Sequence, residues 1–412
     1  MKDWTDTYPY LSLAERDRRW EVLRGFLAER ELDALLIFGT GRNAHDQYVS
    51  NEQLKATVLF TPADEPLLYC GRYPLDRFDG AGDRFERWVS GFRTGFSARA
   101  LADDLGKRGL DRSRVGVVGL TSRAIGQSAG TVPYTMWTQV RAQVPDVTWV
   151  DVADEFETMT LFKSPEERDL VRKAAWIGEQ ACLAAIDAAA PGVPESVVMG
   201  QALRTIVALG GWIAPPLILE RAGAAHFGWN VPERLGMGGR PYVLSSGDVI
   251  AFELFSFYGG FESQQQLTIS IGEPAETVSR LARTAQDSYR CGLEALRPGD
   301  TFASLCEAMH VPLARDRVWN TGPLVQTVAP TIYNGAARID CDADPLVAAL
   351  PDPPRQSPRD GDFELAPGVS FAFEPSAVAE GRRVCVGGTV MLTETGVEEL
   401  NEVTNQLVVV PG

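Results

Sequence analysis

The chain is poor in the residues that build transition-metal sites. Its 412 residues include three histidines, His45, His226 and His310, which leaves little material for a histidine-rich centre. None of the six cysteines, Cys70, Cys182, Cys291, Cys306, Cys341 and Cys385, forms a C-x-x-C pair. They read as buried free thiols in a reducing cytoplasm. No apolar run approaches the roughly 20 residues of a membrane span, and the segment from Met1 to Tyr10 carries no apolar signal core. Positive charge is also short. The net charge of −16 argues against nucleic acid or anionic membranes as partners. Short repeats and low-complexity tracts are absent. What remains is ordinary globular material, 45% hydrophobic and 23% charged, long enough for two domains with sizeable cores. The expectation is a cytoplasmic protein that acts on a small molecule.

Residues 12–31 carry Leu13, Leu23, Phe26 and Leu27 near helical spacing, with charges between them, and predict an amphipathic helix. ALLIFGTG (34–41) predicts a buried strand and turn, and TVLF (57–60) with LLYC (67–70) a hairpin. A helix at LADDLGKRGL, a strand at VGVVGL (115–120), a further helix and a strand at TWVDV (148–152) complete an α/β domain over 1–160. The second domain, 161–412, opens at Lys163-Ser164-Pro165-Glu166-Glu167. Serine caps, proline suits the first turn, and Glu167 completes a capping box, so helices are predicted at about 165–190 and 194–209. VIAFELFSF (249–257) and FESQQQLTISI (261–271) flank Tyr258-Gly259-Gly260 as a hairpin. Helices at 276–296 and 301–316, a surface loop over 343–362, and single strands at VSFAFEPS (369–376) and RVCVGGTVMLTETG (383–396) follow. This domain reads as α+β, helices outside an antiparallel sheet.

Four segments in order resemble the pita-bread superfamily of creatinase, prolidase and aminopeptidase P. They are the Lys163–Glu167 motif, Gly247-Asp248 with the hairpin to Gly272-Glu273-Pro274, Arg297-Pro298-Gly299, and Leu365-Ala366-Pro367-Gly368-Val369 through Glu374-Pro375 to Glu394-Thr395-Gly396. The α/β region resembles the N-terminal domain of the creatinase and prolidase branch. The metal-dependent members use two aspartates, a histidine and two glutamates. By resemblance these fall on Glu253, Gln264, Pro323, Glu374 and Gly387. One ligand is kept, one becomes a longer carboxylate, and three are gone. A pair of divalent ions needs bridging carboxylates to offset its own repulsion, so no metal and no other cofactor is expected.

Alternation places Glu262, Gln264, Gln266, Thr268 and Ser270 on one face of the second hairpin strand, and Phe261, Ser263, Gln265 and Leu267 on the other. The polar row reads as a pocket lining or as a solvent-facing strand. Creatinase uses no metal: it cleaves a guanidinium C–N bond with a histidine as acid and base, while carboxylates hold the cation. His226 sits in the place of that histidine, and it reads as a structural residue or as the proton carrier. The two creatinase glutamates correspond to Gln266 and Glu374, and its tyrosine to Phe261. One anionic partner has become an amide, so an amide, urea or amidine suits the site better than creatine. Phe227, Trp229 and Trp212 read as an aromatic wall or as plain core. Arg42, Arg72 and Arg77 read as surface residues or as donors to a partner subunit's site, since the resemblance implies a homodimer. The expected catalytic residues are His226 and Glu374; the expected substrate contacts are Glu253, Phe261, Gln264, Gln266, Phe227 and Trp229. Three functions fit: a metal-independent creatinase-like hydrolase or lyase, a non-catalytic binding protein, and a metallopeptidase cleaving Xaa-Pro bonds.

Overall fold

A computed structural model describes residues 3–39, 45–52, 54–71, 86–121, 132–213, 238–320, 322–328 and 361–412, and the backbone of 218–223 and 334–336. Two compact units result, one made chiefly of Tyr10–Leu161, the other of Met1–Pro9, Phe162–Val328 and Ile332–Gly412. Residues 1–9 therefore leave the first domain, where the sequence reading puts them. Trp4 is buried among Trp176, Ile177 and their neighbours, and its carbonyl accepts from the buried Lys173 Nζ at 2.5 Å.

The first unit runs α1 (Leu13–Glu29), β1 (Ala34–Phe38), α2 (His45–Ser50), β2 (Thr57–Phe60), β3 (Leu67–Cys70), β4 (Gly91–Thr94), α3 (Ala98–Lys107), β5 (Arg114–Val118), α4 (Tyr134–Gln143), β6 (Thr148–Asp151) and α5 (Ala153–Leu161). Its described strands form one sheet in the order β4-β3-β2-β1-β5-β6. β1, β5 and β6 run parallel, and β1, β2 and β3 antiparallel. Every residue of β1 is buried, as a central strand covered on both faces requires. Ser12 caps α1 by accepting from the Glu15 N–H at 3.2 Å.

The second unit holds α6 (Pro165–Ala188), α7 (Glu195–Ala208), β7 (Ile218–Gly223), β8 (Val249–Tyr258), β9 (Phe261–Ile271), α8 (Glu276–Ala295), α9 (Phe302–Arg315), β10 (Trp319–Asn320), β11 (Pro323–Thr327), β12 (Asn334–Ala336), β13 (Ser370–Phe373), β14 (Ser376–Ala379), β15 (Arg382–Cys385), β16 (Thr389–Thr393), β17 (Gly396–Glu399) and β18 (Val408–Val410). β8 and β9 meet at Gly259 and Gly260, with φ of 58° and 87°, the left-handed pair that a two-residue hairpin needs. Ile250, Phe252 and Leu254 of β8, with Leu267, Ile269 and Ile271 of β9, pack on Ile177, Ala181, Val198 and Ala202 of α6 and α7. On α8 and α9, Phe302 stacks on Phe371 at 6.1 Å and Tyr289 meets Phe373 edge-on at 5.8 Å. No helix among the described residues is long and apolar enough to cross a membrane.

The two strands predicted at 369–376 and 383–396 each break in the middle. Glu374-Pro375 separates β13 from β14, because proline has no N–H for the ladder. Val386-Gly387-Gly388 separates β15 from β16, with Gly387 at φ 125°. β13 and β16 then pair in one sheet, while β14 and β15 pair in another. β18 adds a parallel strand to β9, so the antiparallel expectation needs that amendment.

The capping box predicted at the start of α6 is complete: Ser164 Oγ accepts from the Glu167 N–H at 3.2 Å, and the Ser164 N–H donates to Glu167 Oε2 at 2.6 Å. Ser164→Ala removes the first of these and is expected to lower unfolding free energy by about 1 kcal/mol, read as a shifted urea midpoint at unchanged slope.

Candidate active site

The site grows from the side of β8 and β9 that faces away from α6 and α7. Glu253 stands directly opposite Gln266, and Phe255 opposite Gln264. Period-two alternation therefore puts Glu253, Glu262, Gln264 and Gln266 on one face. Residues 387–389 join β9 along its free edge, through an antiparallel bridge between Gln265 and Gly388. The Gln266 N–H donates to the Gly387 carbonyl at 3.0 Å, Thr389 Oγ1 accepts from the Gln264 N–H at 2.9 Å, and Thr268 Oγ1 donates to the Cys385 carbonyl at 2.7 Å. Glu253, Glu262, Gln264, Gln266, Gln326 and Glu374 are each at most 5% exposed, so the polar row is not a solvent-facing strand.

Buried amides must be partnered, since each lost bond costs about 1–3 kcal/mol. Here the partners are one another. Gln264 Nε2 donates to Glu262 Oε1 at 2.7 Å. Gln264 Oε1 accepts from Gln326 Nε2 at 2.9 Å, and the same nitrogen donates to Glu374 Oε1 at 2.5 Å. At either end a carboxylate oxygen accepts from an amide N–H, which orients both amides. Three polar atoms in this layer are buried with no hydrogen-bond partner among the described residues: Gln266 Nε2, Gln326 Oε1 and Ser370 Oγ.

Two cations lie in the same polar interior. The Arg383 guanidinium is buried, donates through Nε to Ser376 Oγ at 2.6 Å, and is pushed down to about 10 by burial, with Cys385, Glu253 and Glu374 opposing the shift. It is still charged at neutral pH. Burial lifts the Cys385 thiol to about 11, so this sulfur is a poor nucleophile at neutral pH. Burial also pushes the Lys163 ammonium down to about 8, against the opposing pull of Glu167 and Glu262. Its Nζ has no hydrogen-bond partner among the described residues.

Of the residues expected at the site, Glu253, Gln264, Gln266 and Glu374 come together. Phe261 does not: alternation turns it to the face that packs on α6 and α7. His226, Phe227 and Trp229, with Arg42, Arg72 and Arg77, lie outside the described residues. Trp212 is 66% exposed and pairs through its backbone with Phe257. Pro323 opens β11. At Gly387 a Cβ would stand 2.1 Å from the Phe373 carbonyl oxygen, so no side chain fits there. Among the described residues no three histidine, cysteine, aspartate or glutamate side chains gather as a metal site. Sequence reasoning missed Gln326 and Arg383. The one signal for each is a polar side chain among apolar neighbours, Gln326 in PLVQT and Arg383 in RVCV.

Paired sheets between helix pairs, with a polar layer where the sheets meet, define the class to which this site belongs. Residues 169–397 match the model of metallopeptidase family M24, and the chain belongs to that family. Among its relatives, the probable dipeptidase PepE of Mycobacterium tuberculosis is 27% identical over 266 residues, 63% of each chain. The ectoine hydrolase of Halomonas elongata is 24% identical over 287 residues, 65% of this chain and 64% of that protein. The chain thus spans 63% of the length of the first of these relatives. Solved structures share the fold, two among them being these. The X-Pro aminopeptidase of Thermotoga maritima superposes with a TM-score of 0.73 at 18% identity, over 95% of this chain and 99% of that one. Dipeptidase PepE of Mycobacterium ulcerans gives 0.72 at 19% identity, over 97% and 99%.

Lys163 sets a pH dependence. Its folded value of about 8 lies below the ordinary 10.5, so between those values the unfolded chain binds more protons than the folded one. Stability attributable to Lys163 therefore rises with pH across that window, by at most about 1.4 kcal/mol per pH unit. Urea midpoints of wild type and Lys163→Met at pH 8 and pH 10 are expected to show this slope in the wild type and its loss in the variant.

Proposed function

We propose that this chain is a metal-independent enzyme that cleaves a C–N bond, by hydrolysis or elimination, in a small amino-acid-derived substrate, as creatinase does. The observation that carries the reading is the Gln326 amide. In the family register Gln264 and Glu374 stand at two ligand positions, and Gln326 Nε2 donates to an oxygen of each. One lone pair on each of these oxygens faces an N–H group. Gly387, at a third position, has room for no side chain. Neutral amides and an N–H donor are poor company for a pair of divalent ions, so the donor set does not fit them.

In this reading the barrier falls through positioning and preorganised hydrogen bonds. Glu374 is held by the Gln326 amide and orients the reacting group. Glu253 and Arg383 set the local charge. Gln266 contacts the substrate, and Gln264, held between Glu262 and Gln326, keeps the amide row aligned. His226 moves the proton, the role that the creatinase resemblance implies. The protein works as a cytoplasmic homodimer, and gel filtration at the mass of a monomer would overturn that part.

A second reading, a metallopeptidase, draws on the relatives, which bear the names dipeptidase PepE and Xaa-Pro dipeptidase. Elemental analysis of protein purified without chelators decides between the two. We expect less than one equivalent of manganese, zinc and cobalt together; two equivalents per chain sink the metal-independent reading. Amides, ureas and amidines derived from amino acids, screened with chelator present for amine or ammonia release, are expected to yield a substrate. His226→Ala is then expected to cut its turnover by about 10²–10⁴-fold. A ligand that binds and elutes unchanged after long incubation would mark a binding protein instead.

A further inference from the structure

One atom sets the polarity of the buried row. Gln326 Nε2 donates to Gln264 Oε1 at 2.9 Å and to Glu374 Oε1 at 2.5 Å, so both of its N–H bonds are committed. The two acceptors are themselves fixed. Gln264 is held by its own donation to Glu262 Oε1 at 2.7 Å, and Glu374 presents a carboxylate oxygen. A flipped Gln326 would set its carbonyl oxygen against both of them. Gln264, Gln326 and Glu374 are all buried, so bulk water cannot relieve such a cluster of oxygens. A small hard cation could. Roughly 2.0–2.1 Å from metal to oxygen, at right angles, puts neighbouring oxygens about 2.9 Å apart. The spacing around Gln326 Nε2 thus resembles a cation's oxygen shell, but the central atom is a nitrogen that carries two hydrogens.

We propose that Gln326 is the residue that closes this layer to divalent cations, and that replacing its one nitrogen by oxygen opens the layer to a hard divalent ion held by Gln264, Glu374 and the new carboxylate. The inference deepens the metal-independent reading and rests on it. In the wild type a cation at this spot must break both N–H bonds, and each loss weakens its binding by about tenfold. Charge acts in the same direction as geometry. Glu262 lies in the field of Lys163, and Glu253 and Glu374 in that of Arg383. One further carboxylate leaves negative charge that these two cations do not balance, and an uncompensated buried charge is strongly unfavourable. The competing account is that cations are kept out by the side chains missing at Pro323 and Gly387. Both positions stay as they are when residue 326 changes, so that account predicts no gain of binding.

The test is Mn²⁺ binding to the full-length protein freed of chelator, read from the EPR signal of the free ion. Gln326→Glu is expected to bind Mn²⁺ at least about tenfold more tightly than the wild type. Gln326→Leu removes both N–H bonds and supplies no oxygen, and it is expected to show no gain. An unchanged affinity in folded Gln326→Glu overturns the proposal and favours the missing side chains. An equal gain in Gln326→Leu also overturns it, because loosening of the layer then suffices. So does a wild type that binds Mn²⁺ as tightly as Gln326→Glu. If Gln326→Glu does not fold unaided, refolding from urea with and without Mn²⁺ takes the place of the titration. Recovery that depends on Mn²⁺ supports the proposal, and recovery indifferent to it overturns the proposal. Binding is read without turnover, which separates the two ideas. A gain in Gln326→Glu beside a wild type that cleaves no C–N bond sinks the enzymatic reading alone. No gain, beside a metal-free wild type that does cleave one, sinks this inference alone.

Discussion

A row of glutamines lies where two sheets meet, and every one of them is out of water. That arrangement is tolerable only if amide donors and acceptors alternate correctly along the row, because an amide facing its own kind in a dry layer costs as much as a sizeable core defect. The carboxylates of Glu262 and Glu374 supply the starting conditions. Each accepts and neither donates when ionised, so the sense of every bond between them through Gln264 and Gln326 is set from the ends. The bend at Gly387 brings the second layer close enough for its carbonyl to take the Gln266 N–H. A side chain at that position would collide with the Phe373 carbonyl, so the close approach and the glycine imply each other.

The scaffold separates packing from polar chemistry along each strand. The apolar faces of β8 and β9 pack on α6 and α7, and Phe371 and Phe373 pack on α8 and α9, without reference to the chemistry on the opposite faces. Alternation along a strand separates the two sets of residues, one for packing and one for the pocket. A change at Glu253 or Gln264 on the polar face therefore leaves the packing face intact. Fold and function can diverge here because the strand geometry decouples them. Within the pocket, the fixed positive charge of Arg383 sits among Glu253, Glu374 and Cys385, so part of the carboxylate charge is balanced by the protein itself.

Elements whose signals are local were legible. The capping box at Ser164, the glycine pair between β8 and β9, and the periodic helices of the second unit all stand within a few residues of their expected bounds. The polar face of β9 was equally readable, since alternation needs only the strand. The two broken strands were not. VSFAFEPS and RVCVGGTVMLTETG each carry a continuous β pattern, and the sequence does not say which half joins which sheet. Gln326 escaped notice for the same reason. One glutamine in PLVQT has no meaning until Ala372 stands beside it and Glu374 comes within reach. Residues 1–9 were assigned by proximity along the chain, whereas burial of Trp4 draws them to the other unit.

The sequence by itself therefore determined the family, the hairpin and the row of polar residues on one face, because these depend on short-range periodicity and on motifs in order. Tertiary structure alone decided that the row is buried and that Gln326 and Arg383 belong with it. The physical reason is that burial and hydrogen-bond polarity are properties of pairs distant in sequence. Gln264 acquires its orientation from Glu262 two residues away and from Gln326 sixty-two residues away, and only the folded chain supplies the second.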